Sequence, residues 1–444
     1  MKYFYPLIIT VFLLAAHAYG ANGAVTGSID KQALTNMKYD RDFLIGQRDA
    51  FIESYGDLPV RRIVISGLKK TDPSVVLAET GLKTGDTLSS FAPHGFINRI
   101  KKKNLFSEID ITYKKEDSGV VIEIHLEEKW TLIPLPMFAG NRHGTVYGLY
   151  LMESNFLGYG KFLFAGGTIS SDNGTAMLGY IDPSISGTRF RGNLFFTYRN
   201  EIYQHGDMDY NKLMEYRADK RTARLDLGYT FTDSFRWFAS GGYEEGVVDH
   251  DYSEALNPPT DQKAWTTGAV ARYEKLVHYE YLYYGPKLEV YAFRHIPVSD
   301  EYEAYTTSGY KLNYSFRTFG YDRIAFSSNG SAGDRPSIFK EMIGGKPGGR
   351  TLPADIIAAD NYINYTLTYE HPFLRYRWGA VTLLAFWEHG GFETDNSGME
   401  QYYGPGAGFI VYLKRLALPA MGFNIANNLK TGTTEFSVNI GMSF

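Results

Sequence analysis

Apolar and polar residues alternate with a period of two through segments of ten residues or more, and this pattern limits the chain more than anything else in it. From Arg221 to Thr232, Ala223, Leu225, Leu227, Tyr229 and Phe231 fall on one face, against Thr222, Arg224, Asp226, Gly228, Thr230 and Thr232 on the other. Asn361 to Glu370 sets Ile363, Tyr365, Leu367 and Tyr369 against Asn364, Thr366, Thr368 and Glu370. The last stretch sets Phe436, Val438, Ile440, Met442 and Phe444 against Ser437, Asn439, Gly441 and Ser443. A period of two belongs to strands with two different faces. Water-soluble sheets alternate as well, but these polar faces carry charge and glycine along strands of membrane-spanning rather than globular length.

Composition narrows the choice. Of 444 residues, 46 are Gly and 35 are Tyr, about 10% and 8%, where soluble proteins average about 7% Gly. A net charge of −4 supplies no basic footprint, which argues against a nucleic-acid partner. The absence of cysteine excludes disulfides, thiolate metal sites, a catalytic thiol and a diacylglyceryl anchor. A mean hydropathy of −0.26 leaves no room for several helical spans of about 20 apolar residues each.

The N-terminus reads as an address. Met1 to Gly20 has one lysine, an uncharged apolar stretch from Tyr3 to Ala16, and the small-x-small triplet Ala16-His17-Ala18, so residues 1–20 are expected to be a cleaved signal peptide. Residues 21–58 are polar, with Leu34, Met37, Phe43, Leu44, Phe51 and Ile52 spaced for one helix face, and read as a linker or a loosely docked helix.

Residues 59–129 predict a small α+β module. Val60 to Gly67 is β-branched and reads as a strand; Thr71-Asp72-Pro73 opens a helix that stops at Gly81. A second helix from about Pro93 to Lys103 carries Phe96, Ile97 and Ile100 on one face and ends in a basic run suited to a helix C-terminus. Phe106 to Tyr113 and Val120 to Leu126 flank a five-residue turn as a hairpin. The order β-α-α-β-β, with GLKTGD between the helices and LFSEIDI at the second strand, resembles a POTRA domain. That resemblance implies capture of extended polypeptide by strand addition at a sheet edge.

Residues 130–444 read as about sixteen strands, starting near 131, 144, 161, 173, 188, 221, 234, 263, 284, 306, 321, 360, 377, 402, 418 and 433. Odd-to-even links include the long ones, Asn200 to Lys220, Asp249 to Gln262, Ile296 to Tyr305, Ala332 to Ala359 and Gly391 to Gln401, whereas even-to-odd links are short. That parity fits an outer-membrane barrel with short periplasmic turns and long external loops, and closing the sheet removes edges that lipid does not tolerate. The expected fold is mainly β, with the N-terminal α+β module followed by a transmembrane antiparallel β-barrel.

Several local signatures resemble the BamA/TamA superfamily of outer-membrane barrels. Glu153 to Gly158 resembles its second-strand turn and Tyr180 to Pro183 its fourth-strand turn. Gly344 to Phe373 looks like its sixth external loop, which folds back into the lumen with a Val-Arg-Gly-aromatic motif. Gly344, Gly345 and Gly349 precede Arg350 at the motif's arginine, while Thr351 and Leu352 replace its glycine and aromatic residue. Phe386-Trp387-Glu388-His389-Gly390 matches the family's F-x-D-x-G wall motif, with Phe386, Gly390 and a glutamate at the usual aspartate. A guanidinium lowered into a confined lumen needs a carboxylate, so Arg350 is expected to contact Glu388 as a bidentate pair that locks the loop inside.

The resemblance implies membrane-protein insertion or polypeptide export in the outer membrane. The first and last strands would pair poorly and open laterally, Phe444 would act as a C-terminal signal, and the POTRA would sit in the periplasm. Implied partners are unfolded outer-membrane or secreted polypeptides, outer-membrane lipid and lipopolysaccharide, and accessory periplasmic proteins, with no nucleic acid and no cofactor. One POTRA points to an accessory or dedicated role rather than a central one.

Catalytic signatures are missing from the sequence: no G-x-S-x-G elbow, H-E-x-x-H, Walker loop or dinucleotide turn occurs. Gly404, Gly406 and Gly408 lie within an alternating strand, and His278, His295 and His389 have no acid and nucleophile nearby in sequence. The chain is expected not to be an enzyme and to hold no metal. A passive pore and, behind it, a barrel phospholipase are the alternatives.

Overall fold

The computed structural model describes Tyr39 and residues 41–440, except 84, 142–143, 171–172, 280–281, 299–301, 319, 321, 346–347, 355, 377–378, 396, 414 and 416–420. The expected signal segment and the terminal Phe444 lie outside the described residues.

The N-terminal module begins with helix α1 (Arg41–Tyr55), in the stretch read as a linker or loosely docked helix. Strand β1 (Val60–Ser66), helices α2 (Pro73–Thr80) and α3 (Pro93–Lys102), and the hairpin β2 (Phe106–Glu116) and β3 (Gly119–Glu128) follow. Asp72 caps α2 by accepting the Ser74 N–H at 2.9 Å, Pro73 fills its first turn, and Gly81 ends it with a left-handed φ of 70°. β3 is central, parallel to β1 and antiparallel to β2. Phe96, Ile97 and Ile100 of α3 pack on Val120, Ile122, Ile124 and Leu126 of β3, all buried, and Leu44 of α1 joins this core. Each such side chain contributes about 1.5–3 kcal/mol of transfer free energy.

The wall begins with β4 (Leu132–Asn141), β5 (Gly144–Phe156), β6 (Lys161–Ile169), β7 (Gly174–Asp182), β8 (Phe190–Gly206) and β9 (Lys212–Thr230). It continues through β10 (Phe235–Val248), β11 (Gln262–Glu274), β12 (Val277–Tyr279), β13 (Leu282–Pro297), β14 (Tyr305–Arg317) and β15 (Arg323–Ala332). Two short strands, β16 (Glu341–Met342) and β17 (Ala358–Ala359), pair with each other apart from the wall. The wall resumes with β18 (Asn361–Tyr376), β19 (Gly379–Thr394), β20 (Ser397–Leu413), β21 (Met421–Asn427) and β22 (Thr434–Ile440). β11 and β12 both pair with β13 and form one interrupted stave, so the antiparallel sheet has 16 strands.

Which face is buried shows what the wall is built for. On β9, Leu225 and Leu227 are 47% and 55% exposed, and Asp226 between them is 1% exposed. β18 repeats the inversion, with Leu367 at 53% and Thr366 at 4%. An apolar exterior around a polar interior is the arrangement that hydrocarbon selects, the reverse of a soluble sandwich.

Neighbouring strands from β4 round to β22 pair in continuous ladders, and β22 comes next to β4 in the ring. Among the described residues no ladder register joins those two, and the sheet is not closed.

The module docks on the rim that carries the short turns. Asp72 N–H donates to the Gly158 carbonyl at 2.9 Å, Asn155 Nδ2 to Thr71 Oγ1 at 2.8 Å, and Lys70 pairs with Glu153. Lys102 Nζ lies 3.3 Å from Glu274. The opposite rim carries the long links 249–261 and 333–360. Two expected external loops are instead mostly ladder. β8 and β9 pair from Phe190↔Tyr229 out to Gly206↔Lys212, and β19 and β20 continue to Thr394↔Ser397. Their charged residues read as loop, yet cross-strand pairing carries the hairpins outward as strand.

Candidate functional site

The chain leaves β15 and returns to β18 through the lumen. Ile338 inserts between Tyr216, Ala218 and Val248 of the wall, and Lys340 Nζ is held by Asp360 at 2.9 Å and Asp395 at 2.5 Å. The β16–β17 ladder and the bond from Ile343 N–H to the Ile357 carbonyl, 3.1 Å, narrow the loop into a stalk. At its tip Gly345 N–H and Leu352 N–H both donate to the Gly349 carbonyl, at 3.1 and 3.0 Å, and Gly344 abuts the Pro353 carbonyl.

Arg350 and Glu388 meet at this tip. Arg350 Nε donates to Glu388 Oε1 at 2.7 Å, and the guanidinium lies 3.4 Å from the Phe386 ring centroid. Glu388 also accepts the backbone N–H of Gly348 on Oε1 at 3.1 Å and that of Thr351 on Oε2 at 3.2 Å. Both side chains are buried. The expected bidentate fork is corrected: stacking on Phe386 presents Nε alone, and the loop's own backbone takes the second carboxylate oxygen. One carboxylate on a rigid strand therefore gathers three donors of the loop, an arrangement stronger than neutral hydrogen bonds.

The surroundings leave room for that approach and no more. Gly348 has φ +96°, and a Cβ there would stand 2.6 Å from Asn329 Oδ1 and 2.8 Å from Asn364 Oδ1. A Cβ on Gly390 would stand 2.4 Å from the Tyr402 hydroxyl. Met208, Ile343, Leu352, Ile357, Tyr362, Phe392 and Tyr402 form a buried apolar cluster around the stalk, so Leu352, at the motif's aromatic position, still fills an apolar site.

Sequence reading missed a second buried pair nearer the module. Arg323 Nη2 lies 2.6 Å from Glu370 Oε2, and Glu370 Oε1 accepts from the Tyr412 hydroxyl at 2.8 Å and from Thr382 Oγ1 at 2.5 Å. The available signal was charge at inward parity on β15 and β18. His295, read as isolated, lies between Glu244 (Nδ1 to Oε1, 2.7 Å) and Thr307 (Nε2 to Oγ1, 3.0 Å), partners far away in sequence. His389 lies tilted beside Tyr403, and the His278 side chain lies outside the described residues. Among the described residues no group of three or more metal-ligating side chains occurs.

Known proteins fall in line with this geometry. The POTRA family, described as the surface antigen variable number repeat, matches residues 58–129. A putative outer membrane protein assembly factor of Treponema pallidum (strain Nichols) is 26% identical over 194 residues, 42% of this chain and 22% of that protein. The chain thus matches about a fifth of that relative's length. Among solved structures, CdiB from Escherichia coli aligns with a TM-score of 0.59 and 13% identity, covering 94% of this chain and 88% of that one. BamA from Haemophilus ducreyi lacking POTRA domains 1–3 aligns with a TM-score of 0.51 and 15% identity, over 86% and 83%. The fold is that of a POTRA-bearing outer-membrane-type barrel. More specifically, the chain carries one matched POTRA domain and the barrel architecture of BamA and CdiB.

Proposed function

We propose that this protein assembles or translocates polypeptides at the outer membrane: the POTRA domain, in the periplasm, captures an unfolded outer-membrane or secreted polypeptide, and the barrel inserts or exports it. The observation that carries this reading is the seam between the first and last wall strands, β4 and β22, where among the described residues no ladder register joins the two and the sheet is not closed. A strand edge lacking its ladder is a template for an incoming strand. The loop locked by Arg350 and Glu388 lies inside the wall, and the motif glycines Gly344, Gly345, Gly349 and Gly390 shape that lock. Outer-membrane lipid and lipopolysaccharide surround the apolar wall, and accessory periplasmic proteins would meet the module.

The reading is tested by reconstituting the protein in liposomes and timing the folding of an urea-unfolded outer-membrane barrel. Acceleration over empty liposomes, lost on removal of residues 58–129, supports it. A passive pore predicts small-solute uptake without acceleration, and the lumenal loop weighs against that. The Glu244–His295–Thr307 chain has the order of an acid, a base and a hydroxyl, but Thr307 is 3% exposed, so we read it as a lumenal network and expect no lipid hydrolysis.

A further inference from the structure

Helix α1 and the Tyr39 before it lie along the outer edge of the module's sheet. β3 is central, so β2 pairs on one side and faces outward on the other. Ile109 N–H donates to the Tyr39 hydroxyl at 3.1 Å, which makes Ile109 an outward position. By antiparallel alternation Ile111 and Tyr113 point their backbone groups the same way. Tyr39 is held from α3 by Lys101, whose Nζ stands 3.5 Å from its ring centroid. Further along, Phe51 packs on Tyr113 at 6.0 Å between ring centroids, and Arg48 Nη1 donates to the Phe91 carbonyl at 2.8 Å, just ahead of α3. The segment thus spans the groove between β2 and α3, where a strand added to β2 would lie, and takes one of the backbone donors that strand would use.

Its hold is slight for such a position. Of the 15 residues of α1 only Leu44 is buried, whereas α3 buries four of its 10. We propose that Tyr39 and helix α1 occupy the POTRA domain's polypeptide-docking groove in cis, and that a captured extended polypeptide displaces them. This rests on the reading that the module captures polypeptide. The helix then acts as a competitor whose removal raises apparent affinity by the inverse of the fraction of time the groove stands open.

The absence of native cysteine makes the test clean. The full-length protein in detergent is titrated with a fluorescein-labelled synthetic peptide of this chain's own residues 430–444, an alternating strand. Tyr39→Ala combined with Phe51→Ala, which leaves Leu44 in the core, is expected to bind on the order of tenfold more tightly than wild type. Phe51→Cys combined with Tyr113→Cys is expected to lose binding when oxidised and to regain it with reductant. Equal affinity in wild type and the loosened variant, with no effect of oxidation on binding, overturns the proposal while leaving polypeptide capture standing. Binding by none of the variants overturns polypeptide capture by the module, and the proposal with it.

Discussion

Tyr402 on β20 donates its hydroxyl to the Gly348 carbonyl at 2.7 Å, and Asn364 Nδ2 donates to the same hydroxyl at 3.0 Å. The wall thus grips the loop tip a second time, from a strand beside the one that bears Glu388. Because Tyr402 is buried, Tyr402→Phe leaves a carbonyl and an amide without their partner at a cost of about 1–3 kcal/mol. The expected outcome is a lower guanidinium midpoint in detergent, with the strand content unchanged by circular dichroism.

The Arg323–Glu370 pair gives a second prediction. Removing one member of a buried pair strands the other charge, so Glu370→Ala should destabilise the barrel by about 3–5 kcal/mol. Replacing both, Arg323→Met with Glu370→Leu, removes the charges together and should recover most of that loss. Equilibrium unfolding of the two variants beside wild type reads the difference, and equal losses would contradict the account.

Lys129 supplies a pH dependence outside the wall. Burial lowers its ammonium pKa to about 8 from an ordinary value near 10.5, with Asn104 Oδ1 as its partner at 2.5 Å. Between those values the unfolded chain holds the proton more tightly than the folded one, so this group's contribution to stability rises with pH from about 8 to about 10.5 and is least favourable below 8. Relative to Lys129→Met, the wild-type module should gain stability from pH 7 to pH 10. Urea unfolding followed by the fluorescence of the neighbouring Trp130 measures it, and parallel curves for the two proteins would contradict it.

The wall was legible in the sequence because lipid outside and water inside impose parity on every strand. Fourteen of the sixteen expected strand starts lie within three residues of the observed ones. The two exceptions, β9 and β20, begin in polar segments beyond the apolar belt, where no lipid-facing alternation marks a strand and only the cross-strand partner maintains it. Arg350 and Glu388 were found through motif resemblance, and the structure brings them together. Their geometry was hidden, since the Phe386 stack and the backbone donors of Gly348 and Thr351 depend on the path of the loop. Arg323 with Glu370 escaped notice because the two meet only through the register of β15 on β18, and His295 with Glu244 because they meet over the intervening β11. The docking of α1 was half legible: Leu44, Phe51 and Ile52, spaced for one helix face, do pack on the module's core, while Tyr39 and Arg48 act through single polar contacts that carry no periodic signal.

An insertion or export barrel of the kind proposed works with its loop locked in the lumen by Arg350 and Glu388. The most direct test is the rate at which liposomes bearing wild type, Arg350→Ala or Glu388→Ala fold an unfolded outer-membrane barrel, each protein first shown to be folded by its heat-dependent gel mobility. Wild type is expected to accelerate folding, and both variants to lose nearly all of that acceleration. Two folded variants that accelerate as well as wild type would contradict it.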